Sequence, residues 1–251
     1  MSDLITVQGV VLSAMPVGEY DKRIVLLTRE RGKISAFAKG ARKPNSPFRA
    51  AANPFVFGAF TLYEGRSSYN LNQVEVTHQF VELAGCQPGV YYGYYFLELA
   101  DYFGREGTDE NEMMNLLYLS VKALLNPHIE DRLVRCVFEL RTMAEQGLMP
   151  QVFRCVCCEK EPKEEELFFS QESHGVVCRD CLVRENVLDA RRISPSALYA
   201  MQFIVSMPMG KLFTFTLSEE VLRETERFIH TYMAKNTDKR FKSLQILELM
   251  C

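Results

Sequence analysis

The first 80 residues alternate short apolar stretches with clusters of turn-forming residues. The apolar stretches are rich in β-branched and aromatic side chains and cover residues 4–17, 23–28, 33–38, 55–63 and 71–80. Five short strands in so short a segment predict a small barrel or sandwich. A five-stranded barrel of this size is the usual frame of an OB-fold, which binds single strands or oligosaccharides on one face.

After Gly85 the apolar spacing becomes helical. Helices are predicted over residues 90–103, 109–125, 129–146, 194–207, 218–235 and 241–250. Gly147 is a predicted C-cap, and Ser194 followed by Pro195 is typical of a helix start. The fold class is therefore α+β, with an OB-fold domain at 1–80 and a helical domain at 81–251. The aromatic cluster at 91–96 predicts a helix packed against its neighbours, with a peptide-docking groove as the alternative.

The segment 152–185 has a different composition, with five cysteines and an acidic run at 159–166. Its two C-x-x-C pairs, Cys155 with Cys158 and Cys178 with Cys181, are separated by 19 residues. Each pair can place two sulfur atoms on one ion, and four thiolates form the tetrahedral site that Zn²⁺ prefers. We expect one structural zinc per chain in a zinc ribbon, with paired free thiols as the alternative. Cys157 is interpreted as a spectator.

His174 lies in the same segment, and its part in metal binding stays open. Four thiolate ligands leave no coordination position for a water molecule, so a catalytic zinc is not expected. Cys86, Cys136 and Cys251 have no partner at motif spacing.

Charge is distributed unevenly along the 251 residues. The net charge is only −3, and 47% of the residues are apolar, which excludes a largely disordered chain. Residues 22–49, however, contain nine basic residues and one acidic residue. Such asymmetry indicates a polyanionic partner. Aromatic residues interleave with these cations, as single-strand binding requires: Phe37, Phe48, Phe55, Phe57, Phe60, Tyr63 and Tyr69.

Signals for targeting and for catalysis are absent from the sequence. The N-terminus does not resemble a signal peptide, and the longest uncharged run, residues 193–210, contains too many polar residues for a membrane span. We therefore expect a cytoplasmic protein with no membrane partner. No phosphate-binding loop, dinucleotide fingerprint, nucleophile elbow or H-E-x-x-H motif occurs. The sequence predicts that the protein is not an enzyme.

The order of the motifs resembles the RecO family of bacterial DNA repair and recombination proteins. The N-terminal match comprises GEYDKRIVLLT at 18–28, GK at 32–33 and AKGARK at 38–43. The second match comprises FELR at 138–141, GLMP at 147–150, RC at 154–155 and the two C-x-x-C pairs. The resemblance covers essentially the whole chain. One departure is Glu159, because the family often has glycine after the second cysteine.

The resemblance implies an OB-fold joined to a helical domain that carries a zinc ribbon. It also implies a recombination mediator that binds single- and double-stranded DNA and anneals complementary strands. Such a protein engages single-strand-binding protein and helps RecR to load the RecA recombinase. Annealing needs a cationic surface, and the expected phosphate contacts are Lys22, Arg23, Lys39, Arg42 and Lys43.

Two rival interpretations stay open at this stage. The first is a zinc-ribbon adaptor that binds only proteins, and salt-dependent binding to single-stranded DNA would distinguish it from a mediator. The second is a metal-dependent enzyme acting on nucleic acid. It needs an open metal position or clustered carboxylates near the basic stretch, and a nuclease assay with Mg²⁺ would reveal it.

Overall fold

The computed structural model describes residues 3–65, 68–161 and 167–250. Their contacts divide the chain into two compact units. The first unit takes in the chain up to Leu125 together with the last segment from Phe241, and the second unit is Asn126–Arg240. Each unit is described by itself below.

Five strands of the first unit form a closed barrel. They are β1 (Leu4–Val17), β2 (Asp21–Thr28), β3 (Gly32–Ala38), β4 (Val56–Glu64) and β5 (Tyr69–Gln79), and a short helix α1 (Phe48–Ala51) lies between β3 and β4. The strand order is β1-β2-β3-β5-β4. All neighbours are antiparallel except β3 and β5. The predicted five-stranded OB-fold barrel is confirmed.

The barrel closes because β1 is long enough to pair with two strands. Its first half pairs with β4, from Leu4 beside Tyr63, and its second half pairs with β2, as far as Val17 beside Asp21. Alternate side chains point inward, as the period of a strand requires, and Ile24, Leu26 and Phe60 are fully buried. Burial of such side chains is the main stabilising contribution.

Three helices complete the first unit: α2 (Gly89–Phe103), α3 (Asn111–Leu124) and α8 (Lys242–Met250). Helix α2 packs on β1, β2, α3 and α8. It buries Tyr92, Tyr95 and Phe96, whereas Tyr94 is exposed. The aromatic cluster is therefore largely core, as the packing interpretation expected.

The Glu98 carboxylate of α2 accepts hydrogen bonds at the start of α8. It lies 2.9 Å from the Ser243 backbone nitrogen and 2.5 Å from the Ser243 hydroxyl oxygen. A carboxylate at a helix N-terminus satisfies N–H groups that have no partner within the helix. This contact joins the last helix to the first unit.

The second unit combines three long helices and a short one with a small sheet. The helices α4 (Asp131–Glu145), α6 (Pro195–Ser206) and α7 (Glu219–Lys235) pack against one another. The sheet has the order β7-β6-β8, from β6 (Leu167–Ser170), β7 (Gly175–Cys178) and β8 (Arg191–Arg192), with a short helix α5 (Arg179–Arg184) after β7. Strand β8, the third strand of this sheet, lies beyond residue 185, where the cysteine-rich segment of the sequence ends.

The predicted helix termini of this unit agree with its hydrogen bonds. The Ser194 hydroxyl caps α6 by accepting from the Ala197 N–H at 3.1 Å. Gly147 ends α4 with φ +74°, and the next residue, Leu148, donates its N–H back to the Met143 carbonyl at 2.8 Å. A left-handed residue followed by this return bond is the common way in which helices end.

The FELR stretch at 138–141 has a structural role in α4. Glu139 is fully buried and accepts from Arg135 Nε at 2.8 Å, with His230 Nε2 of α7 3.6 Å from its other oxygen. Arg141 donates from Nη1 to the Val205 and Met207 carbonyls at 3.1 and 3.3 Å. These carbonyls lie at the end of α6, where a cation also interacts favourably with the helix dipole.

The boundary between the two compact units differs from the domain boundary at residue 80 that the sequence predicts. Helices α2, α3 and α8 group with the barrel because they pack on its strands or on one another. The division into residues 1–80 and 81–251 stays a prediction about how the chain folds. None of the helices within residues 3–65, 68–161 and 167–250 has the combination of length and hydropathy that a membrane span requires.

Candidate nucleic-acid interface and metal centre

The five predicted phosphate contacts lie at one end of the barrel. Strand β2 begins where β3 ends, so that Lys22 pairs with Ala38 and Arg23 with Phe37. Lys39 follows β3 directly, and the turn after it contains Arg42 and Lys43. The antiparallel pairing therefore brings together two cations from the start of one strand and three from beyond the end of the next.

The turn after β3 is ordered by bonds to the β1–β2 hairpin. Gly40 has φ +67°, which favours glycine, and its N–H donates to the Asp21 carboxylate at 2.7 Å. The Arg42 backbone N–H donates to the Tyr20 carbonyl at 2.8 Å. The charged turn and the hairpin thus form one ordered surface.

Two of the five cations hold this surface together. Lys22 is half-buried and donates to Asn53 Oδ1 at 2.6 Å and to the Ala52 carbonyl at 3.2 Å. Burial, and then the nearby Arg42 guanidinium, lower the pKa of Lys22. Arg42 donates from Nη1 to the Gly18 and Glu19 carbonyls at 3.2 and 3.0 Å. Both side chains therefore have internal partners.

Four of the five cations are exposed, and Arg42 is the one of these four that binds the hairpin carbonyls. We call the surface formed by the other three, Arg23, Lys39 and Lys43, the basic rim. Arg23 Nε donates to Ser35 Oγ at 2.8 Å. Lys43 Nζ lies 5.5 Å from the centre of the Tyr20 ring, within the range of a cation–π contact. These side chains are accessible to phosphate groups.

Some cations of the 22–49 stretch are neutralised away from the rim. Lys33 Nζ lies 3.5 Å from the Asp101 carboxylate and donates to the Asp101 carbonyl at 2.5 Å. Arg31 lies 3.8 Å from Glu64. The charge counted in the sequence therefore overstates the charge available to a polyanion.

The aromatic residues named from the sequence mostly fill the barrel. Phe55, Phe57 and Phe60 are buried, whereas Phe37, Phe48 and Tyr69 are half-buried. Tyr63 is 44% exposed. Tyr20, which is not among the rings named from the sequence, is 46% exposed. The signal for Tyr20 was its position in the turn between two predicted strands, inside the motif GEYDKR.

The two C-x-x-C pairs converge in the second unit. The sulfur atoms of Cys155, Cys158, Cys178 and Cys181 all lie within 4.8 Å of one another. Cys158 Sγ and Cys178 Sγ are 3.8 Å apart. Four sulfur atoms placed tetrahedrally at about 2.3 Å from a zinc ion would be about 3.8 Å apart. The four thiols could therefore bind a metal ion of this size and preference.

The first pair sits in a tight turn that needs a left-handed residue. Glu159 provides it with φ +59°, and its N–H donates to the Cys155 carbonyl at 2.8 Å. The Cys155 N–H in turn donates to the Lys160 carbonyl at 2.9 Å. The turn forms in spite of the departure from glycine, at the cost of a backbone conformation that only glycine adopts freely.

Hydrogen bonds to sulfur favour the thiolate form of one cysteine of the cluster, Cys155. Burial opposes ionisation of the Cys155 thiol, but backbone N–H donors, led by that of Cys178 at 3.4 Å, outweigh it and lower its pKa to about 6. Burial raises the pKa of Cys181, beside which Arg184 Nη2 donates to the sulfur at 3.1 Å. Four adjacent thiolates repel one another unless a cation is shared between them.

The neighbouring candidates lie outside this cluster. Cys157 is exposed and does not belong to the group of converging thiols. His174 Nδ1 lies 3.1 Å from the Tyr232 hydroxyl oxygen. Residues 162–166, which contain three of the glutamates of the acidic run, and Cys251 lie outside the described residues. Cys136 is buried, and burial raises the pKa of its thiol.

Carboxylates at the start of α7 have partners within the second unit. Arg132 binds Glu219 at 3.0 Å and also pairs with Glu226. The Glu224 carboxylate accepts from the Ser194 hydroxyl at 2.5 Å. Across residues 3–65, 68–161 and 167–250, the four cysteines are the one group of His, Cys, Asp or Glu side chains whose ligand atoms converge as a metal site requires.

Comparison with known proteins identifies the family. The family model described as "Recombination protein O N terminal" matches residues 1–80, and the one described as "Recombination protein O C terminal" matches residues 89–245. A curated relative from Alkaliphilus metalliredigens is 30% identical over 246 residues, which cover 97% of this chain and 98% of the relative. One from Symbiobacterium thermophilum is 30% identical over 249 residues, 98% of each chain.

A third relative, from Acetivibrio thermocellus, is 28% identical over 242 residues, which cover 96% of this chain and 95% of the relative. All three relatives are named DNA repair protein RecO. The two matching family models together span nearly the whole chain, in the order barrel first and helices second. The chain therefore belongs to the RecO family.

Proposed function

We propose that this protein is a DNA repair and recombination mediator that binds single- and double-stranded DNA and anneals complementary strands. The observation that carries the proposal is the basic rim, where Arg23, Lys39 and Lys43 are exposed together at one end of a closed barrel. Five cations and two carboxylates, those of Glu19 and Asp21, belong to this end of the barrel, so that its local net charge is +3. The family membership and the names of the relatives support the same role.

Annealing by such a surface needs no catalytic residue. Two phosphate backbones repel each other, and a shared set of cations lowers that repulsion while it releases the counterions of both strands. Contacts to phosphate carry no sequence information, so the same surface can accept any sequence. The structural partners of Lys22 and Arg42 keep the rim in one conformation, which limits the entropy lost on binding.

The family membership also supports the proposed partners. In this role the protein engages single-strand-binding protein and acts with RecR to load RecA, so that RecA is an indirect partner. The acidic remainder of the chain would serve folding and protein contacts, and the role places the protein in the cytoplasm, at the nucleoid.

The four converging thiols are proposed to hold one structural zinc ion. Each coordination position is taken by a cysteine, so the ion would fix the ribbon rather than activate a water molecule. Elemental analysis of the purified chain is expected to give about one zinc per chain. Cys155→Ser should lose zinc and unfold the ribbon, whereas Cys157→Ser should retain both. Zinc-free wild-type protein that is fully folded would refute this assignment.

The salt dependence of DNA binding tests the rim. We would replace Arg23, Lys39 and Lys43 with Gln together, and leave Lys22 and Arg42 in place because both are used internally. For single strands each lost phosphate contact lowers the slope of log K against log salt by about 0.7, so the triple variant should lose about 2. Arg29→Gln, an exposed cation after the other end of β2, is the control.

An unchanged slope in the triple variant would remove the barrel from DNA binding. The adaptor interpretation would then be favoured, since the second unit also exposes apolar side chains on and after α5, with Val183 and Leu188 the most exposed. A wild-type chain that binds partner proteins but no DNA would support that alternative.

A further inference from the structure

We propose that Tyr20 is a base-stacking residue that makes the basic rim prefer unpaired DNA strands. This inference rests on the proposed function, because it assigns a role to one side chain of the same surface. The rim cations recognise phosphate, which both forms of DNA present. A ring beside these cations would recognise a feature that only unpaired DNA presents, the free face of a base.

The position of Tyr20 distinguishes it from the other rings of the barrel. It lies in the turn that joins β1 to β2, directly before the strand that contains the rim cation Arg23, and 46% of it is exposed. Lys43 Nζ lies 5.5 Å from the ring centre. A cation beside an exposed ring can bind the phosphate of a nucleotide while its base stacks on the ring.

The turn that carries Tyr20 is held before any ligand binds. The backbone of Tyr20 accepts from the Arg42 N–H at 2.8 Å, and the Arg42 guanidinium binds the carbonyls of the two preceding residues. A turn held in this way loses little backbone freedom when a base stacks on its tyrosine, which favours binding.

Apolar side chains extend the surface beside the ring. Met15 and Val17, on the β1 arm of the same hairpin, are 57% and 38% exposed. Met15 pairs across the strands with Arg23 of the rim. Exposed apolar side chains next to cations fit a nucleotide, which has an apolar base face and sugar on one side and a charged phosphate on the other.

Tyr63 provides a natural comparison. It is 44% exposed, which matches Tyr20, but it pairs with Leu4 at the opposite end of β1. The two rings therefore differ mainly in their distance from the rim cations. If exposure alone allowed stacking, both would contribute, whereas the proposal assigns the role to Tyr20 only.

Binding measurements on both forms of DNA test the proposal. Fluorescence anisotropy of the full chain with labelled oligo(dT) of about 30 nucleotides, and with a duplex of similar length, gives the two affinities. Tyr20→Ala should weaken oligo(dT) binding about tenfold and leave duplex binding within about twofold, with the salt slope unchanged. Tyr20→Phe retains the ring and should bind like the wild type, and so should Tyr63→Ala.

A spectroscopic readout uses the absence of tryptophan from this chain. Tyr20→Trp introduces a unique fluorophore, whose emission should be quenched when oligo(dT) stacks on it and should change little with the duplex. Tyr63→Trp should report neither. This readout does not depend on whether Tyr20→Ala perturbs the hairpin.

The outcomes separate this proposal from the one on which it rests. Equal effects of Tyr20→Ala on both forms of DNA, or no effect on either, together with an unquenched Tyr20→Trp, would overturn the stacking role. If the rim triple variant nevertheless flattens the salt slope, the proposed function stands and only the role of Tyr20 fails. A wild-type chain that binds neither form of DNA would overturn both.

Discussion

Glu159→Gly is expected to stabilise the second unit. The residue occupies φ +59° in the turn of the first cysteine pair, a conformation that costs an L-residue about 1–2 kcal/mol. Glycine removes this cost but gives the unfolded chain more freedom, which returns about 0.5–1 kcal/mol. The expected net gain is about 1 kcal/mol, since the bond from its N–H to the Cys155 carbonyl is retained.

Two controls isolate the backbone contribution. Glu159→Ala removes the same charge next to an acidic run without relieving the left-handed conformation, so it should not show the gain. Gly147→Ala is the converse change, because Gly147 has φ +74° and alanine would introduce the backbone strain that Glu159→Gly removes. An added Cβ at Gly147 would meet no other atom within 4 Å, so steric contacts do not contribute to the loss of stability. Gly147→Ala should lose about 1 kcal/mol from conformation alone.

Urea unfolding followed by circular dichroism, at equal zinc concentration, measures these differences. The variants should rank with Glu159→Gly above the wild type and Gly147→Ala below it. The reasoning is refuted if Glu159→Gly is no more stable than Glu159→Ala, since both lack the carboxylate and differ only in the freedom of the backbone.

Two further predictions concern the helices of the second unit. Arg141→Met should lower the free energy of unfolding by about 2 kcal/mol, because the Val205 and Met207 carbonyls lose a charged donor, and a change below about 0.5 kcal/mol in urea unfolding would contradict this. Burial, and then the Glu130 carboxylate, raise the pKa of Asp131 to about 6. The folded chain therefore holds this proton more tightly than the unfolded chain, so the contribution of the carboxyl to stability is largest at low pH and is lost as the pH rises through about 6. Asp131→Asn should gain in Tm relative to the wild type between about pH 4.5 and pH 7.5, and a pH-independent difference would refute the assignment.

Local patterns predicted most of the architecture. The five strands of the barrel came from alternation and turn residues, and their bounds shift by only a few residues in the structure. The helix starts at Ser194 and Ser218 were predicted from capping residues, which act on the nearest backbone N–H groups. The four-cysteine group was predicted from spacing, because a two-residue gap restricts where two sulfur atoms can lie.

The candidate interface was only partly predictable. The assignment of Lys22 and Arg42 to phosphate stays a prediction, and the structure adds that both donate to backbone carbonyls, and Lys22 also to Asn53. It named the rings that fill the barrel as stacking candidates and did not name Tyr20. Composition counts charges and rings but does not show which of them already have partners.

The sequence by itself determined the order of strands and helices, the ligand set of the candidate metal centre and the end of the chain that carries positive charge. These properties depend on neighbours along the chain, through backbone periodicity, capping and short chelating loops. Only the tertiary structure decided that Lys22 and Arg42 have partners within the barrel, that the three rim cations are exposed, and that Tyr20 lies beside one of them. The partners of Lys22 and Arg42 lie 23 to 31 positions away along the chain, as Asn53 does from Lys22, and such contacts arise only when the barrel closes.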